Sequence, residues 1–126
     1  MVTKSSKARV QRKTQNNAPR HVKSKAVAAH LSSDLREKYG IRSARVCRGD
    51  TVVVMTGKAD IRGNEGKVVE VLTDTGRVII DGVTINQADG TAVARPVHAS
   101  NLVITKLDLS DEWRAGLFTK KKEADE

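Results

Sequence analysis

The chain has 126 residues, room for one compact domain with an extension, and its 23 Lys and Arg against 15 Asp and Glu give a net charge of +8. It holds no run of about 18 apolar residues and no apolar core of a secretory signal, which argues against membrane insertion and export. The one cysteine, Cys47, cannot form an intramolecular disulfide, and this favours a reducing, intracellular compartment.

Positive charge is concentrated in the N-terminal part of the chain. Residues 1–48 contain 13 basic and 2 acidic residues, a charge of +11, whereas residues 49–126 carry a charge of −3. This asymmetry is typical of a basic arm on a mildly acidic body. It indicates a polyanionic partner, either a nucleic acid or an anionic membrane surface.

The first segment, residues 1–17, is polar and basic. Its few apolar side chains, Val2, Ala8 and Val10, cannot offset an ordering cost of about 1–2 kcal/mol per residue. We therefore expect a basic tail that is disordered until it binds its partner.

The second segment, residues 18–48, predicts a basic extension with one or two short helices. Pro19 suits the first position of a helix over residues 19–30. Ser32 is a start signal and Gly40 a stop signal for a second, shorter helix. The residues after Gly40 predict an extended approach to the body.

The body, residues 49–107, consists of short β-branched runs separated by turn signals. The predicted strands are residues 51–55, 67–72, 77–80, 83–85, 91–94 and 102–107. Residues that favour tight hairpins lie between them, namely Asp74-Thr75-Gly76, Asp81-Gly82 and Asp89-Gly90. The pattern predicts a small antiparallel barrel or sandwich. Residues 108–126 predict a C-terminal extension with one short helical turn that Ser110 caps.

The most informative candidate site is the loop between the first two predicted strands. It contains Gly57, Lys58, Arg62 and Gly63, and Lys67 follows it. Glycines let the backbone approach a phosphate closely, and cations neutralise the phosphate charge. The alternative is a flexible hairpin with solvated charges. A Walker phosphate loop is excluded, because these glycines lead into a β-rich run and not into a helix.

The region around this loop resembles a KOW motif, and the agreement continues over residues 18–114. The residues that carry it are Ala18-Pro19, His30-Leu31-Ser32, Asp34-Leu35-Arg36, Lys38-Tyr39-Gly40, Arg42-Ser43, Gly49-Asp50-Thr51-Val52, Glu65-Gly66-Lys67-Val68, Ala88-Asp89-Gly90-Thr91, Arg95-Pro96, His98, Ser100-Asn101 and Val103-Ile104-Thr105-Lys106-Leu107. Together they resemble a family of universal ribosomal proteins, numbered 24 in the bacterial and archaeal large subunit and 26 in the eukaryotic one. Asp111-Glu112-Trp113-Arg114 resembles its archaeal branch. The loop is longer than the bacterial form, and Arg62-Gly63 stands where a Lys-Gly pair is usual.

The resemblance implies a mainly β, SH3-like KOW barrel that binds 23S-type ribosomal RNA early in assembly of the large subunit. It also implies neighbouring large-subunit proteins as partners and a place near the exit of the peptide tunnel. No aromatic residue lies between Gly40 and Asp111, so the barrel has no platform for stacking bases, and contacts to phosphate and RNA shape are expected. The RNA-binding candidates are Lys4, Lys7, Arg9, Arg12, Lys13, Arg20, His21, Lys23, Lys25, Arg36, Lys38, Arg42, Arg45, Arg48, Lys58, Arg62, Gly63, Lys67, Arg95 and His98.

No catalytic, cofactor or metal site is predicted. Asp74-Thr75-Gly76 matches the aspartic-protease triplet, but Arg77 follows it directly and the triplet separates two strands, so we interpret it as a turn. Cys47 and the three histidines lack the paired spacing of a zinc site. We expect neither an enzyme nor a small-molecule substrate.

Two other functions are compatible with the sequence. One is a KOW-type module of a transcription elongation factor that binds nucleic acid or protein, although such units usually belong to longer chains with other domains. The other is a basic targeting peptide on an unrelated β domain. An intact mass that begins near Met1 or Val2 would exclude the targeting peptide.

Overall fold

The computed structural model describes residues 4–125, and it describes the side chains of residues 4–119. The described residues form nine strands: β1 (Ala28–Leu31), β2 (Ser43–Arg45), β3 (Thr51–Val54), β4 (Glu65–Leu72), β5 (Arg77–Ile80), β6 (Thr84–Asn86), β7 (Ala92–Ala94), β8 (Val97–His98) and β9 (Leu102–Lys106). They also form the helices α1 (Ala8–Asn16), α2 (Arg20–Lys23), α3 (Ser33–Tyr39) and α4 (Glu112–Asp125), with 3-10 turns at Ser24–Ala26 and Ala99–Asn101. The predicted fold class, mainly β with a small barrel-like body, is confirmed.

Seven strands form one sheet in the order β2-β1-β9-β3-β4-β5-β8, and β6 pairs with β7 in a separate hairpin. The strands of the seven-stranded sheet bury alternate side chains in the core. On β3, for example, Val52 and Val54 are fully buried, and the other two residues of the strand are half-buried. On β4 the pairing register shifts between Val68 and Glu70, which marks a β-bulge. A bulge bends its strand, so β4 can pair with β3 over its first half and with β5 over its second.

The six predicted body strands are present, with ends within two residues of the prediction. The extension differs: α2 ends at Lys23, Ser24–Ala26 form a 3-10 turn, and the last residues of the predicted helix belong to β1. β1 pairs antiparallel with β2 and parallel with β9. The helix prediction was wrong because Val27, Ala29 and Leu31, each at most 2% exposed, alternate in the way that a strand buries one face.

The tail also differs from the predicted disordered segment, because Ala8–Asn16 form α1. Val10 and Thr14, one helical turn apart, are half-buried, and the Thr14 hydroxyl donates to the Val10 carbonyl oxygen at 2.9 Å. Alanine, arginine, glutamine and lysine have high helix propensity, which favours a helix once one face is covered. Residues 1–3 of the predicted tail lie outside the described residues.

The short helix α3 begins and ends where the sequence predicts. Ser32 precedes it with extended backbone, although its side chain makes no capping hydrogen bond. Gly40 ends it with φ +68°, the left-handed conformation that favours glycine, and its N–H donates to the Arg36 carbonyl oxygen at 2.8 Å. α3 thereby directs the chain into β2.

The C-terminal helix α4 is longer than the predicted turn. Asp111, and not Ser110, accepts a hydrogen bond from a backbone N–H of the first turn, at 3.1 Å. Phe118 is buried, and its ring centroid lies 5.3 Å from that of Tyr39. This contact packs α4 against α3, which explains why the helix continues beyond its first turn.

Candidate nucleic-acid interface

An open groove of about 720 Å³ lies between the helices α1 and α2 and the turn that joins β4 to β5. Arg12 and Lys23 line it on the helical side, and Asp74 and His98 line it on the sheet side. We call it the tail groove. It brings together three predicted RNA-binding residues that come from three separate segments of the sequence.

A second groove of about 390 Å³ lies between the first 3-10 turn, the β2–β3 connection and β4. Arg45 and Arg48 line this central groove on one side, and Val69 lines it from β4. Thr73 lines both grooves, so the two adjoin. Cations of the tail, the extension and the β2–β3 connection therefore share one connected surface.

Almost all the predicted cations are exposed, and only Lys23 and Arg95 are half-buried. Among the described side chains the one ion pair joins Arg114 to Asp50, so no predicted cation has a carboxylate partner there. Exposed cations without acidic partners are available to phosphates. By position the predicted RNA-binding residues are Lys4 and Lys7 before α1; Arg9, Arg12 and Lys13 on α1; Arg20, His21, Lys23 and Lys25 on α2 and the 3-10 turn; Arg36 and Lys38 on α3; Arg42, Arg45 and Arg48 around β2; Lys58, Arg62 and Gly63 in the β3–β4 loop; Lys67 on β4; and Arg95 and His98 around β8.

The β3–β4 loop is anchored to the body. Ile61 is buried, and the N–H of Gly63 donates to the Val54 carbonyl oxygen at 2.7 Å. Gly63 has φ +87°, a conformation that favours glycine. Lys58 and Arg62 remain exposed on this anchored loop. The anchoring conflicts with a flexible hairpin, while RNA contact by this loop stays a prediction.

Contacts with neighbouring groups orient two cationic side chains of α3. The Arg36 Nε donates to the Leu31 carbonyl oxygen at 3.0 Å, and its Nη2 lies 3.3 Å from His30 Nδ1. Lys38 Nζ lies 5.3 Å from the ring centroid of Tyr39. Both cations stay exposed, so these contacts orient their charges without neutralising them.

Two cations absent from the prediction share sheet faces with predicted residues. Arg77 on β5 pairs with His98 on β8. Lys106 on β9 and Lys67 on β4 lie on the two sides of Thr51. Directly paired residues place their side chains on the same face of a sheet. Only the strand pairing shows these neighbours, since nothing in the linear sequence connects them.

The comparison with known proteins decides the family. Residues 5–121 match the family described as the ribosomal proteins L26 of eukaryotes and their archaeal L24 counterparts. The chain belongs to this family. Three similar proteins are each named large ribosomal subunit protein uL24. That of Methanocella arvoryzae is 50% identical over 96% of this chain and 95% of its own length. That of Methanosarcina barkeri is 49% identical over 92% of this chain and 98% of its own length. That of Sulfurisphaera tokodaii is 48% identical over 87% of this chain and 80% of its own length.

These relatives confirm the resemblance to the archaeal branch of the family. The match spans at least 80% of each relative, so the likeness is to whole ribosomal proteins and not to one KOW unit within a longer chain. Two stretches that carry the family resemblance, Gly49-Asp50 and the stretch ending in Arg114, lie far apart in the sequence. The structure shows that they meet.

Their meeting point is a network that we call the Asp50 clamp. The Asp50 carboxylate is fully buried and accepts hydrogen bonds from the N–H groups of Cys47 at 3.0 Å and Asp108 at 2.9 Å. Both of its oxygens accept from Arg114, whose Nη2 lies 2.6 Å from Oδ2. Arg114 also donates to the carbonyl oxygens of Asp108 at 2.7 Å and Arg45 at 3.0 Å. The clamp joins the edge strand β2, the body and α4, and sequence reasoning missed it.

The surroundings of the clamp shift the pKa values of Arg114, Cys47 and Asp108. Burial alone would lower the pKa of Arg114, but its hydrogen bonds to Asp50 raise it overall. Burial raises the pKa of the Cys47 thiol, which keeps it protonated and a poor nucleophile. The backbone N–H of Ser110 lowers the pKa of Asp108. Among the described residues no group of three or more His, Cys, Asp and Glu could hold a metal ion.

Proposed function

We propose that this chain is a structural constituent of the large ribosomal subunit that binds 23S-type ribosomal RNA. The observation that carries RNA binding is the connected surface of the two grooves, whose cations are mostly exposed and form no ion pair with a described carboxylate. The relatives named as large-subunit proteins support the place of the chain in that subunit. A ribosomal protein of this family acts in the cytoplasm.

The proposed mode of binding is phosphate neutralisation on a surface of fixed shape. The anchored β3–β4 loop and the β2 edge offer cations in set positions, and phosphate contacts fix the orientation of a protein on its nucleic acid. Trp113 is 88% exposed, but it lies on α4, outside the two grooves. The barrel therefore recognises folded RNA without base stacking.

An early role in subunit assembly, a position near the exit of the peptide tunnel and contacts with neighbouring large-subunit proteins are extensions of this proposal from the family resemblance. A structural role is favoured over catalysis, because the family is one of ribosomal proteins. No described helix has the length and apolar character needed to cross a bilayer.

A salt titration tests RNA binding. If the surface neutralises about 6–10 phosphates, affinity for large-subunit RNA should fall by roughly 10³–10⁵ between about 50 and 200 mM salt, with duplex DNA as the guide. The measurement is filter binding of the full chain to transcripts that tile the large-subunit RNA of a related archaeon. A nearly flat affinity over this range would contradict the proposal.

Deleting residues 1–17 provides the internal comparison. The deletion removes five cations, so the slope of log affinity against log salt should become shallower by up to about 5. α1 contains no buried residue, and the truncated chain should keep the unfolding transition of the full chain. A chain of full length with these five cations changed to glutamine should show the same change of slope. An unaltered slope in both variants would remove the tail from the interface.

A further inference from the structure

The tail groove has the lining of a nucleotide site and not of a simple anion site. The cations Arg12 and Lys23 lie on one side with the amide of Asn16, and Asp74 and His98 lie on the other. Its volume of about 720 Å³ exceeds the needs of one phosphate and falls within the range of about 300–1,000 Å³ typical of small-molecule sites. The groove is open, so a nucleotide within an RNA chain can enter.

His98 presents a hydrogen-bond donor in this groove. Its Nδ1 accepts from the backbone N–H of Ser100 at 3.2 Å and lies 2.8 Å from the Ser100 hydroxyl. A ring nitrogen that accepts from a backbone N–H carries no proton, so the proton of the neutral ring is on Nε2. The Nε2–H group is thus a donor even when the ring has no charge.

Gly76 leaves this donor accessible. A Cβ at Gly76 would lie 3.4 Å from His98 Nε2, and a longer side chain would cover it. Gly76 also has φ +68°, which the turn requires and which favours glycine. The same residue therefore forms the turn and opens the groove to the imidazole.

The carboxylate of Asp74 indicates which class of ligand the tail groove binds. A carboxylate repels a phosphate, so it is out of place in a site for inorganic phosphate alone. A ribonucleotide carries hydroxyl and amino donors beside its phosphate, and a carboxylate accepts from both. A lining of cations on one side with a carboxylate on the other fits a whole nucleotide.

We propose that the tail groove binds one unpaired ribonucleotide of ribosomal RNA. Its phosphate lies on Arg12 and Lys23 on the helical side of the groove, its hydroxyl or amino donors face Asp74 on the sheet side, and the His98 Nε2–H donates to a ribose or base oxygen there. This inference rests on the proposed function and deepens it, because a pocket for one nucleotide selects a site on the RNA that phosphate contacts along the barrel cannot select.

Two neutral substitutions of His98 separate its donor from its structural role. His98→Asn keeps an acceptor near the Nδ1 position for the Ser100 N–H and removes the donor, whereas His98→Gln places an amide donor near the Nε2 position. Affinity for the RNA transcript should fall roughly tenfold in His98→Asn and by less than about threefold in His98→Gln. Equal effects of the two substitutions would overturn the proposal.

A double-mutant cycle tests whether His98 and Lys23 hold the same nucleotide. In the variant with both His98→Asn and Lys23→Gln, the fold loss of affinity should be at least about threefold smaller than the product of the two single fold losses. The matched control pairs His98→Asn with Lys58→Gln, which makes the same charge change in the β3–β4 loop. In this control the fold loss of the double variant should equal the product of the single losses within about twofold. Multiplicative losses in both cycles would place the two residues on different nucleotides and contradict the proposal.

NMR of the His98 ring in the full chain distinguishes a nucleotide of RNA from inorganic phosphate as the ligand. Shifts of the ring signals with the RNA transcript, and only weak shifts with inorganic phosphate, support a nucleotide. Equal responses would mean an anion site only and would overturn the assignment. If the unaltered chain binds no ribosomal RNA, the proposed function fails and this inference fails with it. If the chain binds but His98→Asn binds equally well, only the inference fails.

Discussion

Replacing Arg114 with alanine should lower the free energy of unfolding by about 3–5 kcal/mol, because it leaves the Asp50 carboxylate buried without its counter-charge. Asp50 has no exposed surface, and the Arg114 side chain is only 11% exposed. The remaining N–H donors of Cys47 and Asp108 are neutral and compensate only part of the charge. Urea unfolding, followed by far-UV circular dichroism, measures the loss.

The cost should arise from the orphaned charge and not from the lost contact alone. Adding Asp50→Asn to the Arg114→Ala variant removes that charge, and we expect part of the stability to return. Arg45→Ala is the matched control, since the exposed Arg45 side chain has no carboxylate partner among the described residues and its removal should change stability by less than about 0.5 kcal/mol. A loss below about 1 kcal/mol in Arg114→Ala would show that the clamp does not hold the three segments together.

Replacing Gly66 with alanine should destabilise the barrel by about 3 kcal/mol or more, because the strands leave no room for a side chain there. A Cβ on Gly66 would lie 2.3 Å from the Asp81 carbonyl oxygen and 2.9 Å from Ile80 Cγ2. The carbonyl belongs to the backbone, so β4 and the end of β5 would have to separate. The effect is steric, since the φ of Gly66 lies outside the left-handed region.

Gly116→Ala is the control for this prediction. Gly116 lies inside α4, and a Cβ there meets no heavy atom within 4 Å. Alanine is favoured over glycine within a helix, so this substitution should raise the free energy of unfolding by about 0.5–1 kcal/mol. The same chemical change should thus have opposite signs at the two positions. A small effect of Gly66→Ala would mean that β4 and β5 yield easily and that the barrel is less tightly built than the packing indicates.

Local signals in the sequence predicted the elements whose structure depends on local chemistry. Gly40 ended α3, and the Asp-Gly turns separated strands, because backbone conformation at those positions is decided by single residues. The alternation of β-branched residues likewise located β3 and β9. The charge pattern predicted a basic surface, and almost all the cations predicted to bind RNA are exposed.

Long-range pairing decided the elements that the sequence did not predict. Ala28–Leu31 contains two alanines and is too short for a clear period, and it is a strand because β9 and β2 pair with it on both sides. The Asp50 clamp joins residues 64 positions apart, and no spacing rule connects them. The tail groove has the same origin, since α1, α2 and the β4–β5 turn come together only in the folded chain.

The most direct test of the central claim is density-gradient fractionation of an extract from cells that express the full chain. We predict that the chain sediments with large ribosomal subunits and with whole ribosomes, and that it leaves them only when salt is high enough to displace protein from ribosomal RNA. We expect the His98→Asn and Gly116→Ala variants to fold, so their distribution in the gradient reports binding to the subunit and not stability. A chain that stays at the top of the gradient at low salt would contradict its assignment as a structural constituent of the large subunit.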